Sequence, residues 1–500
     1  MKSCVALTLL FVTMPVMAGE ARIDGASKPN IILMMGDDHG WEETGYNGHP
    51  HVKTPVLDEM AASGLKFERF YAAHPSCSPT RASFLTGRHP NRMGTFAPGW
   101  SFRPDEITIA HVLSGAGYQC AHFGKWHVGA VRADSPVCPG AMGFHTWLSH
   151  DNFFELNPAL SRNGQAPERF EGESSEILVR EAIQFISQSS KTQQPFLMVI
   201  WFGSPHEPYS GLSADLALYD DLPQKYPRQV ALTSNETGEQ TKRAQGEVLR
   251  ERYAEITAMD RAIGTLRSYL KDTGRRDNTL LFYCGDNGTS GDAALREPHR
   301  GVKGQVYEGG ILVPGIIEWP AVISQPRSTS VRASTSDLMP TLCEVVEQPL
   351  PKKVIDGSSL GFVLRNEPGD RPTPLYFWEY NPARLMASSP QPTIDPKLQE
   401  GTTPLAKKMG NKWTRNFQNF VQTDIQDSDY RGPRVIIDGG WKLVIHNPKK
   451  DDARTELFDL NSDPAEKHSL TSQHSERVQV MELKLRDWQT SVLKDLTETQ

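Results

Sequence analysis

The chain has 500 residues, of which 38% are hydrophobic and 23% charged, with 40 glycines and 36 prolines. This composition is typical of a globular protein with many loops and excludes disorder on a large scale. The formal net charge of −7 provides no basic surface for nucleic acid, so any anionic ligand must be bound by a local cluster of cations. The length fits roughly two to four average domains, or equally one large α/β core with a smaller companion.

The first residues, MKSCVALTLLFVTMPVMAGE, have the form of a secretory signal. A lysine stands near the start, an apolar run follows, and Ala18 offers a small residue for cleavage. We therefore predict a signal peptide at 1–18 and a secreted or periplasmic protein. The run is too short to cross a bilayer, and no later stretch is apolar enough to predict a membrane span.

Six cysteines are present, and removal of the signal peptide would take away Cys4. Five remain, so at least one is unpaired in an exported chain, and such a leftover thiol is a candidate for special chemistry. The sequence leaves open how the others pair. The remaining cysteines are Cys77, Cys120, Cys138, Cys284 and Cys343.

From residue 30 onward, apolar runs alternate with amphipathic segments. NIILMMGDD reads as a strand buried on both faces, and Thr54 and Pro55 begin a helix that ends before Gly64. Further strands are predicted at GLKFERFYAA, YQCAHFG, FLMVIWF and NTLLFYCGDNG, and further helices from about Ser78, at 108–114, over SSEILVREAIQFISQ and at 248–270. This alternation predicts an α/β fold with a large, mostly parallel sheet flanked by helices.

The texture changes after residue 350. RVIIDGGWKLVIH followed by TELFDLNSDP predicts a small antiparallel sheet, and residues 475–496 predict a closing helix. We therefore expect a large α/β domain at 28–350 and a smaller C-terminal subdomain at 351–500.

Polar clusters come directly after several of the predicted strands, at the edge where open α/β sheets bind ligands. Taken singly, each cluster is more typical of a turn, a helix cap or a solvated loop. Together they offer hard oxygen ligands without histidine or thiolate partners, which favours Ca²⁺ or Mg²⁺ over zinc. The proposed metal ligands are Asp37, Asp38, Asp286 and Asn287.

Positive groups are expected around that metal. With the cation they outweigh the three carboxylates, so the pocket is predicted to bind a compact anion although the whole protein is negative. These groups are Arg81, Lys125, His127, His206 and Lys303.

The stretch CSPTRASFLTGR resembles the signature of type I sulfatases, the formylglycine-dependent branch of the alkaline phosphatase superfamily. Cys77, Pro79 and Arg81 match its C-x-P-x-R pattern. Similar motifs follow in order along nearly the whole mature chain: PNIILMMGDDHGW, TPVLDEMAASGLKF, GKWHVG, GSPHEPY, GDNG, RGVKGQVYEGGILVPGII, SDLMPTL and ELFDLNSDPAEKHSL. The resemblance implies an alkaline phosphatase-like fold and a hydrolase that cleaves sulfate esters.

The same resemblance implies roles for individual residues. Cys77 is converted to formylglycine by a maturation enzyme, and its hydrated diol attacks sulfur with one hydroxyl and expels sulfate with the other. Ca²⁺, with Mg²⁺ less favoured, is held by the four oxygen ligands and residue 77. Arg81 and Lys125 steady the diol, His127 assists release of sulfate, His206 protonates the leaving oxygen, and Lys303 binds sulfate.

The resemblance also indicates a substrate class, namely a sulfated glycan, by analogy with N-acetylgalactosamine-6-sulfatase and arylsulfatase A types of sequence. The sugar, the sulfate position, exo or endo action and the oligomeric state stay open. Two alternatives remain: a phosphonate or phosphate monoester hydrolase of the same superfamily, and a non-catalytic protein that binds sulfated glycans.

One departure from the family pattern is an insert of about fifty residues at 381–432. It carries basic and aromatic residues, and a surface elaboration is the favoured interpretation. A lip over the pocket and a subunit contact are the alternatives. The residues in question are Lys407, Lys408, Trp413 and Arg415.

Overall fold

The computed structural model describes residues 28–189, 194–233, 240–295, 298–387, 393–402, 424–446 and 455–497. The predicted signal peptide lies outside these residues, and so do Lys407, Lys408, Trp413 and Arg415 of the insert. Among the helices described, none is long and apolar enough to cross a membrane.

The described strands form four sheets, of which the largest has ten strands in the order β14-β2-β13-β11-β1-β8-β4-β5-β6-β7. The strands are β1 Asn30–Gly36, β2 Leu65–Phe67, β3 Phe70–Tyr71, β4 Gln119–Lys125, β5 Thr146–His150, β6 Ala159–Arg162, β7 Glu168–Arg169, β8 Phe196–Trp201, β9 Gln229–Thr233, β10 Gln240–Ala244, β11 Thr279–Gly285, β12 Leu312–Val313, β13 Gly315–Glu318, β14 Arg327–Thr329, β15 Ala333–Ser334, β16 Leu375–Trp378, β17 Arg434–Asp438, β18 Trp441–Ile445 and β19 Thr455–Asp459.

Helices cover both faces of the large sheet. They are α1 Pro55–Ser63, α2 Cys77–Thr86, α3 Ile109–Gly115, α4 Ser174–Ser189, α5 Ser213–Leu216, α6 Leu222–Lys225, α7 Gln245–Asp272, α8 Glu308–Ile311, α9 Leu338–Val345, α10 Gly361–Leu364, α11 Ala383–Ala387 and α12 Ser475–Thr497. Ile31 and Leu33 of β1 pack in one apolar cluster with residues of α2, α3 and α9, while Ile32 and Met34 pack with residues of α1, α4 and α7. Because both faces of β1 are covered, its sequence is a continuous apolar run.

The fold class predicted from sequence is confirmed, although the sheet is mixed. Its centre, β11-β1-β8-β4-β5, is parallel throughout. Toward one edge β13 is antiparallel to both β11 and β2, and toward the other β6 is antiparallel to β5 and β7. The flanking strands are short, and their direction depends on pairing that sequence periodicity does not reveal.

The single strand predicted at GLKFERFYAA is wrong. Two short strands replace it: β2 joins the large sheet, and β3 joins a separate three-stranded sheet with β12 and β15. The predictions for two helices are confirmed. Helix α1 begins at Pro55 and is followed by Gly64, and α7 covers the predicted 248–270 with a few residues more at each end. Helix α2 begins one residue earlier than expected, at Cys77.

The C-terminal part forms the predicted small antiparallel sheet, β16-β17-β18-β19, with α12 packed against it. Trp100, from the loop before α3, also lies buried in the apolar cluster of this sheet and helix. The five described cysteines are all free thiols.

Candidate active site

The predicted site residues converge because β11, β1, β8 and β4 are neighbours and parallel. Asp37 and Asp38 follow β1, Asp286 and Asn287 follow β11, and Lys125 ends β4. Gly124, at a φ of 101°, allows this approach, since a Cβ there would stand 1.9 Å from the carbonyl oxygen of Trp201. Strand ends of one sheet therefore build the floor of the site.

Asp38 links the ligands from the two strands. Its backbone N–H donates to Asp286 Oδ1 at 2.8 Å, and its Oδ1 accepts from Asn287 Nδ2 at 2.9 Å. Asp38 and His127 both have positive φ, 61° and 57°, where non-glycine residues are uncommon. Such backbone conformations are found where the surrounding structure fixes a functional side chain.

Cys77 is the first residue of α2, and its Sγ lies 3.8 Å from Asp38 Oδ1. The side chain is only 1% exposed. Burial, together with the charges of Asp286 and Asp37, raises the pKa of this thiol to about 12 against the opposing effect of Lys125 and Lys303. An unmodified Cys77 is therefore protonated at neutral pH and is a poor nucleophile.

Arg81 and Lys125 pair with the carboxylates beneath Cys77. The Arg81 guanidinium lies 2.8 Å from Asp286 Oδ2 and 3.3 Å from Asp37 Oδ1, and it stands 5.0 Å above the ring of Trp201. Lys125 Nζ lies 2.5 Å from Asp37 Oδ2. Both cations are fully buried, so their charges act with little screening by water.

Lys303 and His206 face each other above Asp38. Lys303 Nζ is 2.7 Å from Asp38 Oδ2 and 3.1 Å from His206 Nε2. His206 Nδ1 donates to the carbonyl oxygen of Glu207 at 2.6 Å, which leaves Nε2 of the neutral ring as the nitrogen that points into the site. Phe153 stacks on the imidazole with 4.9 Å between ring centroids. Burial and the Lys303 charge lower the pKa of His206 to about 4.

His127 lies two residues beyond the end of β4. Its backbone N–H donates to the carbonyl oxygen of Asp151 at 2.9 Å, and Asp151 Oδ1 accepts from the N–H of Val131. His150 lies beside this link, with its carbonyl oxygen accepting from the N–H of Trp126. Backbone contacts with Asp151 and His150 thus support the segment that carries His127.

The donor set fits a hard divalent cation. Ligand atoms of Asp37, Asp38, Cys77 and His206 lie within 4.8 Å of one another, and Asp286 and Asn287 adjoin them through Asp38. Asn287 Oδ1 is buried and receives no hydrogen bond from any described residue. Burial and the nearby Asp37 raise the pKa of Asp286 to about 7, which shows how costly three crowded carboxylates are without another cation. Oxygen-rich ligands of this kind suit Ca²⁺.

Sequence reasoning missed one buried pair that shapes the site. Arg252 of α7 donates to the carbonyl oxygens of Asp38 and Pro205, each at 2.6 Å, and pairs with Glu43 at 2.6 Å. It therefore ties the Asp38 turn to the segment that carries His206. The available signal is an arginine on the buried face of an amphipathic helix, where charged residues are rare unless paired.

In this arrangement the strand ends of an α/β sheet carry a carboxylate cluster that could hold a metal ion, beside a helix-terminal cysteine and convergent cations, which suits a site for a compact anion. The family model for sulfatases matches residues 29–347. The chain therefore belongs to the sulfatase family, whose members are sulfuric ester hydrolases.

Among its relatives, human arylsulfatase A is 31% identical over 463 residues, covering 89% of this chain and 84% of that protein. Mouse N-acetylgalactosamine-6-sulfatase is 27% identical over 525 residues, covering 96% and 88%. The structure of Ps i-CgsB in complex with k-i-k-neocarrahexaose superposes with a TM-score of 0.72 at 22% identity, covering 93% of both chains. The resemblance seen in the sequence is confirmed.

Proposed function

We propose that this sulfatase is exported and removes sulfate from sulfated glycans, using a formylglycine made from Cys77 and a bound Ca²⁺. The observation that carries the proposal is the position of Cys77. The cysteine of the C-x-P-x-R pattern begins α2 and points its Sγ at Asp38, within a ring of buried cations.

The converted side chain supplies two hydroxyl groups on one carbon, one to attack sulfur and one to expel sulfate afterwards. Cys77 as a thiol offers neither, and it is protonated at neutral pH. Arg81 and Lys125 orient the converted group, since both approach the site floor from the side of α2 and β4. The N-terminus of α2 adds its positive dipole at residue 77.

Asp37, Asp38, Asp286 and Asn287 hold the Ca²⁺. When bound, the ion supplies Lewis-acid stabilisation of the nucleophile and of a sulfate oxygen. The orphaned Asn287 Oδ1 and the raised pKa of Asp286 support this assignment.

Lys303 binds the sulfate group, and His206 protonates the leaving alcohol through Nε2 after the ring has taken up a second proton from solvent, because the neutral ring carries its proton on Nδ1. The two side chains stand 3.1 Å apart, so a substrate on Lys303 has its bridging oxygen within reach of the imidazole. A positioned general acid contributes about 10² to 10⁴ in rate for a poor leaving group. His127, 6% exposed, takes up the proton that is lost when sulfate departs.

A sulfated carbohydrate is the proposed substrate class. N-acetylgalactosamine-6-sulfatase is named for a sulfated sugar, and Ps i-CgsB was solved in complex with k-i-k-neocarrahexaose. The signal-like form of residues 1–18 supports export, and a maturation enzyme would convert Cys77. The C-terminal subdomain at 351–500 completes the proposed two-part organisation.

Hydrolysis of paired aryl sulfate and aryl phosphonate monoesters by the purified, matured protein tests this function. We expect sulfate release that Cys77→Ala abolishes and Cys343→Ala retains, because Cys343 is equally buried but packs in the apolar core. Faster turnover of the phosphonate would favour the phosphonate hydrolase alternative. Binding of sulfated oligosaccharide without any turnover would favour the non-catalytic one.

A further inference from the structure

Lys303 lies on a glycine-rich loop, here called the Lys303 loop, at residues 300–310. On its inner side the Lys303 N–H donates to the carbonyl oxygen of Thr289 at 3.0 Å, and the Gly304 N–H donates to that of Pro75 at 2.7 Å. A Cβ on Gly288 would stand 1.9 Å from the carbonyl oxygen of Gly309, so the loop lies directly on the segment after Asn287. The loop therefore touches the neighbours of both Cys77 and the proposed metal ligands.

The outer side of the Lys303 loop is held by the C-terminal sheet. Arg300 pairs with Glu456 of β19 at 3.2 Å, and the Tyr307 hydroxyl donates to the same carboxylate at 2.5 Å. Tyr307 also lies 2.9 Å from His446 Nε2, just beyond β18. Two residues near opposite ends of the loop thus share one carboxylate of the C-terminal part.

A buried charge cluster, here called the Lys442 cluster, completes the attachment. Lys442 Nζ of β18 lies 2.9 Å from Glu308 Oε1 and 2.8 Å from Glu466 Oε1. The Glu308 backbone N–H donates to Glu466 Oε2 at 2.7 Å, and Tyr71 donates to Glu308 Oε2 at 2.9 Å. Lys442 and Glu466 are fully buried, and Glu308 is nearly so.

A buried ion pair is weak evidence for stability, because desolvation offsets much of the attraction, and apolar residues of similar size often serve as well. Its geometric effect is clearer. The Lys303 loop contains Gly301, Gly304, Gly309 and Gly310, which bring no side chains to pack. Its path is therefore fixed by directional contacts: backbone hydrogen bonds within the loop, such as Gly309 N–H to the Arg300 carbonyl oxygen at 2.7 Å, and the contacts with its neighbours described above.

We propose that Lys442 is a positioning residue for sulfate binding: through Glu308 and Glu466 it fixes the Lys303 loop, and thereby the Lys303 ammonium, against Asp38 and His206. The inference rests on the proposed role of Lys303. Lys303 has close partners at 2.7 and 3.1 Å, and a displacement of about 1 Å at such a site is enough to cost a large factor in rate.

A double-mutant cycle in the matured full chain tests the inference. Lys442→Met is made alone and together with Lys303→Ala, and KM for an aryl sulfate ester and the inhibition constant for inorganic sulfate are measured. We expect Lys442→Met alone to raise both constants about tenfold, but less than about twofold in the Lys303→Ala background, because a displaced loop no longer matters once the ammonium is gone. Lys484→Met, which removes an exposed pair with Asp438 in the same C-terminal part, is the control.

Equal effects of Lys442→Met in both backgrounds would show a merely structural role and overturn the inference. If Lys442→Met does not yield folded protein, Glu456→Gln replaces it in the same cycle, since it loosens Arg300 and Tyr307 while keeping the side-chain shape. Failure of the proposed function would appear differently, as wild-type protein that releases no sulfate at all.

Discussion

Two buried clusters of charge lie on either side of the Lys303 loop, and they differ in what they leave unpaired. In the site cluster, Asp37, Asp38 and Asp286 meet three cations, yet Asn287 Oδ1 still has no partner among the described residues. In the Lys442 cluster, one ammonium joins two carboxylates, those of Glu308 and Glu466, which are 158 residues apart along the chain. The site cluster therefore suits the binding of a further ligand, whereas the Lys442 cluster holds distant segments of the chain together.

The largest expected effect that distinguishes the site cluster from the Lys442 cluster is a loss of catalytic rate. His206→Ala should lower kcat/KM for an alkyl sulfate by about 10² to 10⁴, because the poor leaving group needs a proton. An aryl sulfate, whose leaving oxygen is more acidic, should lose much less. Steady-state kinetics with both esters measure the difference, and equal losses would contradict the role of His206 as general acid.

The next largest effect is expected on metal binding. Asp286→Asn should lower the calcium content of purified protein and reduce activity about 10²-fold, because the site loses one negative oxygen ligand. Metal analysis by mass spectrometry beside kinetics measures both quantities. Glu318→Gln, which alters a buried carboxylate at the end of β13 paired with Arg267, is the matched control. A variant that keeps its calcium and yet loses activity would point away from a ligand role.

Chelation addresses the same site without substitution. Prolonged EDTA treatment should reduce activity, and added Ca²⁺ should restore more of it than added Mg²⁺, since flexible carboxylate ligands favour the larger ion. The ordering of the two ions in a recovery assay is the measurement. Full recovery of activity with Mg²⁺ alone would contradict the assignment of Ca²⁺ to this site.

A smaller effect is expected at Asp356, whose carboxylate pairs with Arg92 of the large domain and accepts a hydrogen bond from Trp488 of α12. Burial would raise the pKa of Asp356, but Arg92 and the backbone N–H of His89 lower it to about 2. Because the folded pKa is depressed, the stabilisation is fully present above the ordinary value near 4 and is lost as pH falls from about 4 to about 2. It amounts to about 2 kcal/mol.

Urea unfolding of wild type and Asp356→Asn between pH 6 and pH 2.5 tests this. The difference in the free energy of unfolding should be about 2 kcal/mol at pH 6 and shrink as the pH falls through that window. A constant difference would mean that the carboxylate charge is not responsible.

Sequence reasoning placed Asp37, Asp38, Asp286 and Asn287 because each directly follows a buried apolar run, and parallel strands bring such positions together. Cys77 was singled out by its motif. The antiparallel flanks of the sheet and the division of residues 65–71 between β2 and β3 depend on pairing between distant segments, which local periodicity does not encode.

The contacts made by the residues that support the site could not be predicted from the sequence, for the same reason. Arg252 acts on Asp38 across 214 positions of the chain, and Lys442 acts on Glu308 across 134. Arg252 lies in a long amphipathic helix and Lys442 in a short, mostly buried strand, and only the packed structure shows which backbone or carboxylate they contact. Each chemical motif of the site lies within a short stretch of sequence, whereas the geometry that brings the motifs together depends on tertiary contacts.

The most direct test of the central claim is the mass of the peptide that contains residue 77, taken from protein that is active on a sulfate ester. Our account predicts a loss of about 18 Da relative to cysteine, the change expected when the thiol becomes an aldehyde. The fraction of converted peptide should rise and fall with specific activity across preparations. Active protein that carries an intact Cys77 thiol throughout would contradict the account.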